Sequence, residues 1–128
     1  MTVVRFEGHE TWPIDNEIVE LVVGGRRFDL HNDADLTELA IKAAAGSEAI
    51  ALTFRARPLA PGSASDQVTL VVEFRGVSSL ELNADLAAQH EAGVFFAFEY
   101  LGGQSLGFET DFLAVRLEAE SVVVTVLP

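Results

Sequence analysis

A ladder of alternating apolar residues runs through the second half of the chain, and it constrains the fold more than any other feature. Val68, Leu70, Val72 and Phe74 fall on one side of an extended backbone, while Thr69, Glu73 and Arg75 fall on the other. The same period of two returns in Leu113-Ala114-Val115-Arg116-Leu117-Glu118 and again over residues 122–127. Successive side chains of a strand point to opposite faces, so the pattern predicts a half-buried antiparallel sheet. It sets the class of the protein and carries no chemistry of its own.

The rest of the chain extends this reading. Residues 2–7 predict a short first strand. Gly24-Gly25 lies between two apolar runs and suits a two-residue hairpin turn, with Val19, Leu21 and Val23 facing inward across from Phe28 and Leu30. A helix over 15–23 ended by Gly24 is the alternative. Residues 33–46 also read two ways. Asp35-Leu36-Thr37-Glu38 resembles a helix-capping signal, but Leu39, Ile41 and Ala43 alternate, and strand is preferred for 37–43. Ile50, Leu52 and Phe54 then face in, with Thr53, Arg55 and Arg57 facing out. Residues 58–66 form the clearest loop. Gly76 interrupts the main ladder and predicts a bulge or tight bend. Residues 83–93 are rich in alanine and make the best helix candidate, ended by Gly93. Residues 94–101 are apolar on both faces and predict a central strand, turning at Gly102-Gly103. Eight to ten short strands at about this spacing predict a mainly β fold, an antiparallel two-sheet sandwich or open barrel with one or two short helices. A chain of 128 residues fits a single domain over 1–128. The run 122–126 is an aggregation hazard if exposed, and Glu118, Glu120 and Pro128 flank it as gatekeepers.

With 49% apolar residues, nine Phe and no Cys, the core must form without disulfides or thiolate-held metals. The first ten residues lack the basic start and apolar run of a signal peptide, and no stretch approaches ~18 uninterrupted apolar residues. A soluble cytoplasmic protein is the expectation. The net charge is −12, with 20 acidic and 8 basic residues. After Arg75 the only basic residue is Arg116, against Glu81, Asp85, Glu91, Glu99, Glu109, Asp111, Glu118 and Glu120. Nucleic acid and anionic membrane are bound through basic residues, so neither is an expected partner. A basic protein is, because opposite charge speeds and selects its encounter. The plainer reading of the same charge is solubility.

Motifs for chemistry are sparse. Gly103-Gln104-Ser105-Leu106-Gly107 matches the G-x-S-x-G of a hydrolase elbow, which needs a helix after the serine and a later histidine. The last histidine, His90, precedes Ser105, so a glycine-rich turn is the better reading. His31-Asn32-Asp33-Ala34-Asp35 is the densest set of metal-type ligands, with His31, Asp33 and Asp35 as a candidate loop site. It lacks calcium-loop spacing, and Asp and Asn equally favour turns. His9, His31 and His90 are too scattered to pair imidazoles on one element. Glu109 with Asp111, and Glu118 with Glu120, are expected to share strand faces, with nothing that singles out a glycosidase pair. Phe95, Phe96, Phe98 and Tyr100 read as core, with the lining of an apolar ligand site as the lesser reading. There is no phosphate-loop or dinucleotide fingerprint, and no cofactor is implied.

Three segments together resemble a small bacterial β-rich family. They are Leu30-His31-Asn32-Asp33-Ala34-Asp35-Leu36, then Ile50-Ala51-Leu52-Thr53-Phe54, then residues 71–82 with Phe74-Arg75-Gly76-Val77 followed by Leu80 and Leu82. The family includes uncharacterised proteins and immunity-type proteins of polymorphic toxin systems. The shared shape is H-D-x-x-L, a strand ending L-x-F, and F-x-G-V-x-x-L-x-L, spread over residues 30–128. Asn32 separates the His and Asp of the first element, a departure from the pattern. The resemblance implies strand over 37–43 and no catalytic residue. The leading expectation is therefore a non-enzymatic acidic binding protein, an immunity protein that masks a basic toxin. The alternatives are a self-associating structural domain, a homodimer held through strand edges with the Val-rich C-terminal strand as its cue, and a small ligand- or metal-binding protein using the 31–35 loop.

Overall fold

The computed structural model describes residues 5–7, 17–18, 20–23, 26–30, 34–44, 47–57, 67–84, 95–110 and 113–127. These residues make a mainly β protein of twelve strands: β1 Arg5–Glu7, β2 Glu17–Ile18, β3 Glu20–Val23, β4 Arg26–Asp29, β5 Ala34–Ala44, β6 Ser47–Ala56, β7 Val68–Arg75, β8 Ser79–Ala84, β9 Phe95–Gly102, β10 Ser105–Thr110, β11 Leu113–Glu118 and β12 Ser121–Leu127. One five-stranded sheet has the order β1-β12-β7-β6-β5, a second has β2-β9-β10-β11-β8, and β3 and β4 form a separate hairpin.

The alternating ladder does what its period demands. In β7 the buried residues are Val68, Leu70, Val72 and Phe74, and the neighbouring rows are Phe54–Leu70–Val126, Leu52–Val72–Val124 and Ile50–Phe74–Val122. The inner face of the second sheet supplies Phe98, Leu106, Phe108, Val115 and Leu117. The two sheets meet through aromatic rings. Phe98 packs edge-on against Phe54, Phe74 and Phe108 at centroid distances of 6.5, 5.9 and 6.4 Å, and Phe74 stacks on Phe108 at 5.7 Å. Such pairs add roughly 0.5–1.5 kcal/mol each beyond the area they bury. The β3–β4 hairpin contributes Phe28 and Leu30, both wholly buried. Its register pairs Val23 with Arg26 and Leu21 with Phe28, the geometry predicted from Gly24-Gly25.

A sharp corner joins the sheets. The β7–β12 pair of the first sheet continues as the β8–β11 pair of the second. At the bend Glu120 N–H donates to Arg75 O at 2.9 Å, Ser78 N–H to Glu118 O at 3.0 Å, and Val77 N–H to Glu48 O at 3.0 Å. Gly76 adopts φ +66°, a left-handed conformation that costs residues with a Cβ, and so supplies the predicted bend.

Several expectations change. Among the described residues there is no helix: 17–18, 20–23 and 34–44 are strand, in line with the preferred readings there, whereas Asn83 and Ala84, expected in a helix, belong to β8, paired with Ala114 and Leu113. Residues 85–93 of the helix candidate lie outside the described residues. Cross-strand pairing outweighs alanine's helix propensity at Ala84, as tertiary context commonly does. The sheet is not wholly antiparallel, because β1 runs parallel to β12. Strand β9 is central as expected, lying between β2 and β10, with Phe98 buried and with Glu99 as the one charged residue on its other face, beside the exposed Leu101. The described strands do not close into a barrel; the two five-stranded sheets remain separate.

Candidate functional site

The outer face of the second sheet collects four of the eight candidate carboxylates, and four of the five that fall among the described residues. Inner positions of β10 and β11 are Leu106, Phe108, Val115 and Leu117, so the intervening residues must face out. Register then sets three rows. Glu118 stands between Ser79 and Ser105. Arg116 stands between Glu81 and Gly107, and Gly107 pairs onward with Glu99. Glu109 lies between Ala97 and Ala114, with Asn83 beyond. Glu81, Glu99, Glu109 and Glu118 thus share one face with a single guanidinium, and Glu17 of β2 stands at the register position opposite Glu99. Among the described residues none of the four carboxylates is tied into an ion pair. Their charge is available to a partner.

Gly107 shapes this face. A Cβ there would lie 3.1 Å from the Val115 carbonyl oxygen and 3.4 Å from Glu99 Oε2. The Glu99 side chain therefore lies across the space that Gly107 leaves, toward the Arg116 strand. At one end of the face a shallow open depression of ≈ 180 Å³ is lined by Ser79, Glu81, Leu101, Ser105, Arg116 and Glu118. That is smaller than the ~300–1,000 Å³ of small-molecule sites.

Other candidates fall elsewhere. Glu120 does not share the face of Glu118. It sits past the end of β11, at the corner, where its Oε2 would be 2.6 Å from a Cβ on Gly76. The strand period stops at Glu118, so the predicted pairing of the two fails. Asp35 is exposed on β5, opposite Arg55 in the register of the first sheet. His31, Asp33, Asp85, Glu91 and Asp111 lie outside the described residues. Among the described residues no three His, Cys, Asp or Glu side chains are grouped to hold a metal ion. Ser105 opens strand β10 after a turn at Gly102 (φ +101°) and Gly103 (φ +57°), so a strand stands where a hydrolase elbow requires a helix. Of the aromatic stripe, Phe98 is core. Tyr100 donates its hydroxyl to the Gly103 carbonyl at 2.9 Å and meets Phe6 edge-on at 5.6 Å.

Sequence reasoning did not place Arg116, Ser79, Ser105, Gly107 and Leu101 beside the carboxylates. The alternation of β11 puts Arg116 and Glu118 on one face, but their neighbours follow only from strand order. Comparison with protein-family models, with curated proteins and with solved structures returned no match. Among the described residues no helix is long and apolar enough to cross a membrane.

Proposed function

We propose that this mainly β protein, an open sandwich of two face-packed sheets, is a non-enzymatic acidic binding protein. Its partner is a basic protein that docks on the outer face of the second sheet. The observation that carries the reading is the convergence of Glu81, Glu99, Glu109 and Glu118 around Arg116 on one open face. Side chains at the inner positions of the same strands are apolar and committed to the core, so this sheet has only its outer face to offer. A flat acidic surface with a small depression suits masking of a basic surface better than turnover of a substrate. The family resemblance of residues 30–128 makes a cytoplasmic immunity protein that neutralises a basic toxin the specific form of the proposal.

The test is retention of a basic protein from bacterial lysate at low and at high salt, with paired charge variants. Replacing Glu81, Glu99, Glu109 and Glu118 by Gln should abolish retention. Replacing Glu7, Glu48, Glu73 and Glu120 by Gln changes the net charge equally and should leave it intact. If both sets weaken binding alike, net charge and not this face is responsible. If no basic protein is retained even at low salt, the reading falls.

A second reading, self-association, is favoured by a different observation. Its predicted cue is β12, which pairs with β7 along its whole length and with β1 only at Ser121–Val123. The exposed large apolar side chains among the described residues are Ile41 on β5, Leu82 on β8, Leu101 on β9 and Leu127 on β12.

A further inference from the structure

Buried polar side chains are nearly always hydrogen-bonded, and an exception needs a physical reason. Two polar residues are buried among the described residues, Thr110 at 3% and Ser121 at 4% exposure. Thr110 donates its hydroxyl to the Leu113 carbonyl at 3.4 Å. The Ser121 hydroxyl has no such partner among the described residues. It does not point into the core. Its neighbour Val122 is 1% exposed and pairs with Phe74 on the inner face, so Ser121 belongs to the outer face of the first sheet.

Two arginines flank it. Register places Ser121 opposite Arg75 of β7 on one side and opposite Arg5 of β1 on the other, so all three share the outer face. Adjacent strands are ~4.8 Å apart, which sets the two arginine backbones about 10 Å apart with the serine between them. Both backbones are pinned through Glu120: Arg5 N–H donates to Glu120 O and Glu120 N–H donates to Arg75 O, each at 2.9 Å. The Glu120 side chain itself lies against Gly76. Glu73 engages Arg75 through Nε, which leaves the two terminal nitrogens of that guanidinium to donate. Arg5 is exposed and is in no ion pair among the described residues. Glu7 and Glu73 stand one row further along, on either side of Val123, so the charges of the two rows balance. The row therefore offers directed donors rather than a positive field.

We propose that the Arg5–Ser121–Arg75 row binds a phosphate group, with a guanidinium on either side and the Ser121 hydroxyl donating to the oxygen that points at the sheet. A guanidinium fork matches phosphate oxygens in geometry as well as in charge. Phosphate fits better than carboxylate because donors arrive from three adjacent strands. A tetrahedral group has an oxygen for each, whereas a planar carboxylate has only two. Arg5 and Arg75 are both exposed, so their side chains can part to admit it. The net charge of −12 opposes an anion, which sets the expected affinity at about millimolar. The row lies on the first sheet, away from the acidic face of the second, so it stands or falls independently of the basic-partner reading.

Titration of the full chain with inorganic phosphate, against chloride at matched ionic strength, tests it through amide chemical shifts in two-dimensional NMR. Phosphate should give saturable shifts at Arg5, Arg75 and residues 120–122 that chloride does not. Arg5→Gln should weaken binding about tenfold, and Ser121→Ala about threefold. Arg75→Lys keeps the charge but loses the fork, and should weaken it too. Without phosphate, Ser121→Ala should melt no lower than the wild type, because it removes an unpaired hydroxyl from a buried position. Phosphoserine as a second probe distinguishes the sources: equal binding identifies a phosphoryl group on a larger ligand, and binding of phosphate alone identifies the free ion. The proposal is overturned by the absence of a saturable shift, by equal shifts with chloride, or by binding that Arg5→Gln and Ser121→Ala leave unchanged. A Ser121→Ala protein that melts lower without phosphate also overturns it, since the hydroxyl would then already be bonded.

Discussion

Replacing Gly76 by Ala probes the corner that carries the chain from one sheet to the other, and its cost can be divided into two parts. The backbone part comes from φ +66°, where a Cβ costs roughly 1–2 kcal/mol. The contact part comes from Glu120, whose Oε2, Cδ and Cγ would stand 2.6, 2.8 and 2.8 Å from the new Cβ. Glu120 is exposed, so its side chain can swing into solvent at the cost of a displaced rotamer, about 0.5–1.5 kcal/mol. The sum is about 1.5–3.5 kcal/mol. With a urea slope of ~2 kcal/mol/M, that lowers the unfolding midpoint by about 1–2 M. Urea titration followed by circular dichroism reads it. In a Glu120→Ala background the contact part disappears and about 1–2 kcal/mol remains, a coupling of ~0.5–1.5 kcal/mol between the two sites. Gly76→Asn introduces the same Cβ but tolerates the left-handed region, and should lose less than Gly76→Ala. A Gly76→Ala protein as stable as wild type would refute the reasoning. Complete recovery by Glu120→Ala would show that contact, not backbone conformation, sets the cost.

Phe98→Ala removes a ring that contacts Phe54, Phe74 and Phe108 across both sheets, and should cost about 3–5 kcal/mol in equilibrium unfolding. Tyr100→Phe deletes the hydroxyl bonded to the Gly103 carbonyl and should cost about 0.5–1.5 kcal/mol by the same assay, with the fold retained. Arg116→Glu removes the one cation of the acidic face and adds a carboxylate. Calorimetry against the captured basic partner should show tighter binding and a steeper salt dependence, whereas weaker binding would mean that Arg116 itself contacts the partner.

Much of the fold was legible from local pattern. The period of two located β7, β11 and β12, and it favoured strand over helix at Leu39 and Ile41, where β5 is found. Gly76 and Gly102-Gly103 marked the corner and the β9–β10 turn because a positive φ there demands glycine. Helix in 83–93 was predicted from alanine content, a weak local preference that strand pairing overrides at Ala84. The acidic excess after Arg75 was plain, but its division was not. Glu118 and Glu120 have the same parity, yet the chain bends between them and takes Glu120 to the corner.

The sequence by itself determined the β class, the core-facing residues of β6, β7 and β11, and the excess of acid over base. These depend on neighbours in the chain, because side chains alternate along any extended backbone. Which carboxylates share a surface was decided only by the tertiary structure. Glu81, Glu99, Glu109 and Glu118 come from four different strands, brought side by side by the order β9-β10-β11-β8. The exposed edge of β5 was likewise set by strand order. That order follows from long-range burial, in which Phe54 and Phe74 of one sheet must find Phe98 and Phe108 of the other, and no local pattern encodes it.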